Sequence, residues 1–472
     1  MFNKKVCLII SIGLLISSIS SLATAQQSNS VMTWGSNQYG QLGNESGFSR
    51  EYADTVEGTS DAVSISGGGM HCLVALSNGT IKAWGTNSSG QVGNGTTYDA
   101  LSPDSVVGIN NAVKVDAGFI YSLALLSDST VKAWGCNSSG QLGNGTTTDT
   151  SLPVLVNNLN NVIAIAAGGA HSLALLSDGT IKAWGDNTYG QLGQGTIDSA
   201  GIDTPVTVLG INNAIAIAAG DGHSLALLAD STIRAWGWNG GGQLGIGTTQ
   251  DTSLPAAVLG ITNAVKIAAG VYHSFAILTD GTIKAWGDNT HGQLGIGAGF
   301  VTVDTAISVV GINNALKVDG AWHHSLALLS DGTMKAWGTN DFGQLGDDGL
   351  ASRDTPVVVV RVQNGIEISA GDEHSMALGI MNSVEEKNVV CKGIGVSLVN
   401  SMVNNNIELL TTTRQKLDYK VFDVCGRVML SGNNMTVKGK LNINASQLKQ
   451  GVYFIDVKTL TGNIQFKLVK VL

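Results

Sequence analysis

Histidine has the widest chemical reach of any residue in this chain, and six of its eight histidines recur in one setting. They close Gly68-Gly69-Met70-His71, Gly168-Gly169-Ala170-His171, Gly220-Asp221-Gly222-His223, Gly270-Val271-Tyr272-His273, Ala321-Trp322-His323-His324 and Gly371-Asp372-Glu373-His374. Gly118-Phe119-Ile120-Tyr121 supplies the same element with Tyr in place of His, and Ala321 stands where the others have Gly, which puts its turn in question. An imidazole so placed can bind a metal, move a proton or hold a hydrogen bond. Occurrence once per repeat, with Tyr accepted, points to a hydrogen bond that holds each turn. No metal is expected, because one repeat cannot supply the ligands of a closed tetrahedral site. The adjacent pair His323-His324 is the one local exception. Gly-x-Ser-x-Gly and His-Glu-x-x-His are absent, and no unique Asp or Glu pair stands out as a catalytic pair outside the repeat pattern. Gly93 to Thr96 and Gly143 to Thr146 superficially suggest a phosphate loop, but no helix follows and no Lys is placed to help. No catalytic residue and no cofactor is therefore assigned, and the chain is expected not to be an enzyme.

The elements that must position these residues are themselves periodic. Trp-Gly recurs at Trp34, Trp84, Trp134, Trp184, Trp236, Trp286 and Trp337, in steps of 50, 50, 50, 52, 50 and 51 residues. Such a period marks a repeat protein, in which each unit needs its neighbours to bury its apolar surface. These Trp side chains are expected to pack blades. The seven glutamines Gln41, Gln91, Gln141, Gln191, Gln243, Gln293 and Gln344 are expected to satisfy backbone groups of the loops that follow. Each His or Tyr element but the last precedes a Trp-Gly by thirteen residues, whereas Trp34 has no such element before it and His374 has no Trp-Gly after it. Joining the ends supplies both missing partners. The chain therefore reads as an all-β ring of seven blades, a β-propeller closed by a strand from the N-terminus, which removes exposed sheet edges.

Within one repeat the strands are Pro205–Leu209, Ala214–Ala219, His223–Leu228 and Thr232–Trp236, apolar on both faces as sandwiched blades require. Asn78-Gly79, Asp178-Gly179, Asp280-Gly281 and Asp331-Gly332 are hairpin signals, with Ser129 and Ser231 replacing the Gly at a position that favours positive φ. Alternating strands put these turns and the Gly-Ile-Asn-Asn turns on one face. The Gly-x-x-His turns and the long segments after Trp-Gly fall on the other, as do a two-residue insertion after Trp184 and a one-residue insertion after Trp286. Variation gathers on that face, where function usually sits. The residue before Gly-Gln-Leu-Gly changes from repeat to repeat: Tyr39, Ser89, Ser139, Tyr189, Gly241, His291, Phe342. With Phe119, Trp238, Tyr272 and Trp322, the aromatic members and His291 form the candidate binding set, since aromatics on a rigid scaffold make binding anchors.

Composition agrees with a closely packed β array: 62 Gly, 5 Pro and 13% charged residues. A body of this size buries roughly 75% of its unfolded surface and needs no disulfide framework. Of the five cysteines, Cys7 precedes an apolar run, while Cys72, Cys136, Cys391 and Cys425 occupy non-equivalent positions. Residues 1–25 read as a secretory signal, with Lys4 and Lys5, an apolar core and Ala23-Thr24-Ala25, and no membrane span is expected after its removal. Residues 26–380 carry a net charge of −17 and residues 381–472 of +6. An acidic body argues against nucleic-acid binding.

Trp184 to Gly193, Trp-Gly-x-Asn-x-x-Gly-Gln-Leu-Gly, together with Ala-Ala-Gly-x-x-His-Ser-Leu-Ala-Leu, resembles the repeat of the regulator-of-chromosome-condensation (RCC1-like) propellers. The resemblance covers about 31–380, departs at Val92, Tyr121 and Ala321, and implies a seven-bladed propeller. After a polar linker over 381–389, residues 390–472 alternate as a small immunoglobulin-like β-sandwich would, with a strand and turn over Leu417 to Arg427 followed by Leu448 to Val457 and Phe466 to Lys470. This tail resembles the C-terminal sorting domain of type IX secretion cargo. It implies engagement of that secretion machinery and a secreted or outer-membrane surface-attached protein of a Gram-negative bacterium. The expectation is a secreted or cell-surface binding or adhesion protein whose loop-rich face takes an extracellular protein or glycan. The alternatives are a secreted enzyme inhibitor or hydrolase-associated propeller, and a guanine-nucleotide exchange factor.

Overall fold

The computed structural model describes residues 29–297, 299, 301–381, 396–398, 402–403, 406–423, 427–449, 451–459 and 462–470. The signal segment, the linker beyond Met381, Cys391 and Cys425 lie outside the described residues. Seven four-stranded antiparallel sheets form the blades. In the third blade the strands are Val162–Ala167, His171–Leu176, Ile181–Asn187 and Asp198–Thr207, hydrogen-bonded in that order. The first strands of all seven blades line a central cavity of about 460 Å³. The second strands are buried almost throughout, as in His223–Leu228, because each is covered on both faces by adjacent blades. Every such buried Leu contributes on the order of 2 kcal/mol. Fourth strands are half exposed, and that of the third blade is lengthened by the two-residue insertion.

The ring closes where the sequence periodicity places the join. Ser30–Gly35 pairs antiparallel with His374–Met381, in register Val31 with Leu378 and Gly35 with His374. It brings a second N-terminal strand with it: Arg50–Thr55 forms the outer edge of that blade and Val362–Ala370 the inner. The closing blade thus takes two strands from each end of the propeller.

One junction is repeated between all neighbouring blades. The seven Trp indoles donate Nε1–H to the main-chain carbonyl of a Gln in the preceding repeat, from Trp84 to Gln41 at 2.9 Å around to Trp34 to Gln344 at 2.9 Å. The same carbonyl accepts the hydroxyl of the second-strand Ser, for example Ser224 Oγ to Gln191 O at 2.9 Å. That Ser in turn meets the His of the previous blade: His71 Nε2 to Ser122 Oγ 3.0 Å, His171 to Ser224 2.9 Å, His223 to Ser274 2.9 Å, His273 to Ser325 3.1 Å and His324 to Ser375 2.9 Å. A Ser hydroxyl has one proton and spends it on the Gln carbonyl, so the His Nε2–H must be the donor. The His bond therefore crosses to the neighbouring blade, a correction to the expectation that it holds its own turn. The turn is held by main chain alone, as in Gly68 N to His71 O at 2.8 Å. Tyr121 fills the place of His: its hydroxyl donates to His171 O and lies 2.9 Å from Ser172 Oγ, whose own proton goes to Gln141 O. The ring is completed by His374 Nε2 to Cys72 Sγ at 3.1 Å, with Cys72 standing where six blades have Ser. Cys72 and Cys136 are free and buried.

The departures from the repeat are absorbed locally. Ala321 keeps the turn, its N–H donating to His324 O at 2.9 Å. Val92 is as buried as the Leu it replaces. Ser129 and Ser231 sit at φ 65° and 66°, beside 80° and 81° for Gly79 and Gly179. In Trp-Gly the Gly is obligatory: Gly185 has φ 99° and a Cβ on it would lie 2.5 Å from Ala170 O.

In the tail, Asn406–Asp423 pairs with Val428–Asn444 on one side and Gly451–Thr459 on the other, and Gly462–Lys470 follows. The six-stranded sheet curls around Ile407, Leu409, Leu417, Val421, Ile443, Ile455 and Val457, which gives the sandwich-like core. Arg427 donates from Nε to Asp423 Oδ2 at 2.7 Å.

The junction and the turns each lead to a measurable outcome. Burial holds the six repeat histidines far below the usual imidazole value, His71, His223, His273 and His324 at about 3 and His171 and His374 at about 4. The unfolded chain binds more protons than the folded one between pH 6.5 and these values, so their contribution to stability is full above pH 6.5 and declines as pH falls. Burial holds Asp116 and Asp319 up, and these carboxylates pull the other way. Replacing His171 with Tyr, the residue the second blade uses, is expected to flatten the fall in unfolding midpoint between pH 7 and pH 4.5. An unchanged slope in denaturant titrations at both pH values would show that the buried imidazole does not set it. Ser231→Gly is expected to raise stability by about 0.5–1 kcal/mol in urea unfolding, by relieving a left-handed conformation.

Candidate functional site

The long loop after each Trp-Gly is built by two buried side chains. Asn of Trp-Gly-x-Asn accepts the N–H five residues on, as Leu192 N to Asn187 Oδ1 at 3.1 Å and Leu294 N to Asn289 Oδ1 at 3.0 Å. Gln accepts the N–H of the variable residue two before it: Tyr39 to Gln41 Oε1 2.9 Å, Tyr189 to Gln191 2.9 Å, His291 to Gln293 2.9 Å and Phe342 to Gln344 3.0 Å. All seven loops use both bonds, Ser89, Ser139 and Gly241 included. Each loop therefore presents one interchangeable side chain from a fixed main chain. The Gln duty is the one the sequence leads us to expect. The Asn duty is not, although its signal is plain in every Trp-Gly-x-Asn.

Those side chains do not all meet. Tyr189 from the third blade lies 6.2 Å, centroid to centroid, from Trp238 of the fourth, and Trp238 lies edge-on to Tyr272 of the fifth at 5.0 Å. Gly222, with no side chain of its own, underlies Trp238 and Tyr189. Asp288 N–H donates to Tyr272 O at 2.9 Å and carries the arc onward. There His291 and His323 approach to 3.9 Å, and Trp322 stacks on His323 at 5.0 Å and 19°. Asp288, His291 and His323 bring their ligand atoms within 4.8 Å of one another. Phe342, Tyr39 and Phe119 are exposed and take part in no ring contact among the described residues. The seven Trp of Trp-Gly, by contrast, are fully buried.

The arc has an acidic setting. Gln191 Nε2 donates to Asp186 Oδ2 at 2.6 Å beneath Tyr189. Burial, and then Asp221, push the Asp372 carboxyl up to about 8. Deeper in the cavity Asp116 and Asp319 stand where three blades have Ala. Each is spent on blade-to-blade contacts: Asp116 accepts from Ser66 Oγ and Ala167 N at 3.1 Å, and Asp319 accepts from Ala370 N at 2.9 Å. Burial pushes Asp319 up to about 7. Neither belongs to the candidate set drawn from the sequence, although their departure from Ala is visible there.

Comparison with known proteins bears on the whole arrangement. The profile of the RCC1-like domain matches residues 158–399. Profiles of the regulator of chromosome condensation (RCC1) repeat match 28–75 and 128–175, and 62–91 and 112–141. Among solved structures, human WBSCR16 superposes with a TM-score of 0.68 at 22% identity, covering 75% of this chain and 99% of that one. Prp20p from Saccharomyces cerevisiae superposes with a TM-score of 0.68 at 22% identity, covering 76% and 93%. At that identity the likeness is one of fold. The ultraviolet-B receptor UVR8 of Arabidopsis thaliana is 29% identical over 133 residues, 28% of this chain, which spans about 30% of that relative's length. The profile of the secretion system C-terminal sorting domain matches 400–471. Its type IX character implies interaction with that secretion machinery and marks a secreted or surface-exposed protein of a Gram-negative bacterium of the Bacteroidetes type. No helix among the described residues is long and apolar enough to cross a membrane. With repeat, ring and profile in agreement, the chain belongs to the family of RCC1-like propeller proteins.

Proposed function

We propose that the protein is a non-catalytic binding or adhesion protein of the cell surface or surroundings, and that its loop-rich face takes an extracellular protein or glycan. The observation that carries this reading is the contact chain Tyr189–Trp238–Tyr272, three aromatic rings from three blades on one face. Aromatic rings supply large contact area at low entropic cost, and clusters of them form the energetic centre of interfaces. A sugar ring stacks on such faces while neighbouring carboxylates such as Asp186 take its hydroxyls. Catalysis is disfavoured by the state of the histidines: each repeat imidazole is buried, held neutral and committed to the next blade. Prp20p binds Gsp1p and histones, and that property is not carried over to this chain, since a sorting tail directs it out of the cell.

The nine tryptophans make the reading measurable. Seven are buried in Trp-Gly, so Trp238 and Trp322 are the two on the loop face. Titrating the full chain with a panel of neutral oligosaccharides and with surface proteins is expected to shift Trp emission for at least one ligand class. Trp238→Ala and Tyr272→Ala are each expected to weaken that binding by at least ~10-fold, an effect of about 1.4 kcal/mol. Phe342→Ala is expected to cost less, its ring standing apart from the cluster. Binding that survives the Trp238→Ala/Tyr272→Ala pair with unchanged affinity would move the contact surface elsewhere.

A further inference from the structure

Two of the eight histidines escape the blade junctions, and they come together. His291 occupies the interchangeable loop position of the fifth blade, and His323 precedes the junction His of the sixth. Neither position carries His in any other repeat, so the architecture does not require imidazole at either. Their rings nevertheless lie 3.9 Å apart, next to the carboxylate of Asp288.

We propose that Asp288, His291 and His323 form a binding site for one divalent transition-metal ion of the zinc type, with the remaining coordination positions open to water or to a donor from a partner. Two imidazoles and one carboxylate are a donor set suited to such ions and poorly suited to magnesium or calcium, which take oxygen ligands. Ligands bound at roughly 2.0–2.2 Å stand about 3.3 Å apart around a tetrahedral ion. The present separations, within 4.8 Å, close by small rotations of loop side chains.

The surroundings already orient the donors. Asp288 Oδ2 accepts from Gln293 Nε2 at 2.8 Å and from Thr290 Oγ1 at 2.9 Å, while Oδ1 accepts from Thr290 N at 3.1 Å. Thr290 Oγ1 lies 3.0 Å from His291 Nδ1, which leaves Nε2 as the nitrogen free to bind a metal. Such outer contacts fix ring orientation and ligand basicity. His323 Nδ1 is buried with no hydrogen-bond partner, and Trp322 stacked on its ring restrains it. A single repeat cannot supply such a site, which is why the sequence leads us to expect no metal, whereas these ligands come from two blades. The site is separate from Tyr189 and Trp238, which hold none of the ligands, so it stands or falls apart from the aromatic cluster.

The test is isothermal titration of the full chain, free of any histidine tag and with accessible thiols blocked, with zinc chloride, nickel chloride and magnesium chloride. Zinc and nickel are expected to bind at one equivalent and magnesium to give no heat. Cobalt chloride should give the visible absorption of an imidazole-bound ion. His291→Ala, His323→Ala and Asp288→Asn are each expected to weaken zinc binding by at least ~10-fold, with circular dichroism unchanged. Trp322→Ala, which keeps all three ligands, should retain one equivalent. The proposal is overturned if wild type takes up no zinc, or if His291→Ala/His323→Ala binds zinc as wild type does.

Discussion

The ring hangs on one peptide carbonyl per blade. Each Gln main-chain oxygen, placed at the end of a loop, accepts both an indole N–H and a Ser or Cys side chain from the next blade. The previous blade's imidazole or phenol closes the knot from the other side. A carbonyl has two lone pairs, and here both are used in a site from which water is excluded, where hydrogen bonds are strong and an unpaired partner is costly. That is why Trp, His, Ser and Gln recur together: removing any one strands the others in a dry interior. Blade-to-blade geometry is thereby fixed by directional bonds, while the Leu and Ala side chains between sheets supply non-directional attraction.

The same knot explains how function and scaffold are kept apart. The Gln whose carbonyl joins two blades uses its side-chain oxygen to hold the main chain of the interchangeable residue, as Gln191 does for Trp236 and Tyr189. The loop is therefore rigid at its base, and one side chain can be exchanged without touching the core. Tyr189, His291 and Phe342 stand on identical supports and differ only in what they present. Binding that uses such groups loses little entropy on ordering them.

Periodicity makes the ring legible in one dimension. Seven Trp-Gly copies, a first repeat lacking its His and a last lacking its Trp-Gly are enough to place the join, and Asp-Gly turns are enough to sort the faces. What resists reading is pairing across blades. The destination of five of the six His bonds lies about fifty residues away, in a Ser that looks like ordinary strand filler, and the sixth lies at the far end of the ring, in Cys72. Likewise, nothing in the one-dimensional order says that Tyr189, Trp238 and Tyr272 touch while Phe342 stands alone. Side-chain direction across a blade boundary is decided by twist and packing, which a list of variable positions does not contain. His323 illustrates the same point: beside His324 it looks like a duplicated junction residue, and only the neighbouring loop shows that it faces His291.

The closing blade also governs when the molecule can become whole. Val31 finds Leu378 only after nearly the full propeller has been made, so its pairing closes a loop of more than three hundred residues, a contact of the most sequence-distant kind. Until then the array is an open crescent with a bare strand edge at each tip, and bare edges recruit other chains. Zipping shut then competes with sticking to a neighbour, and the second route gains as concentration rises.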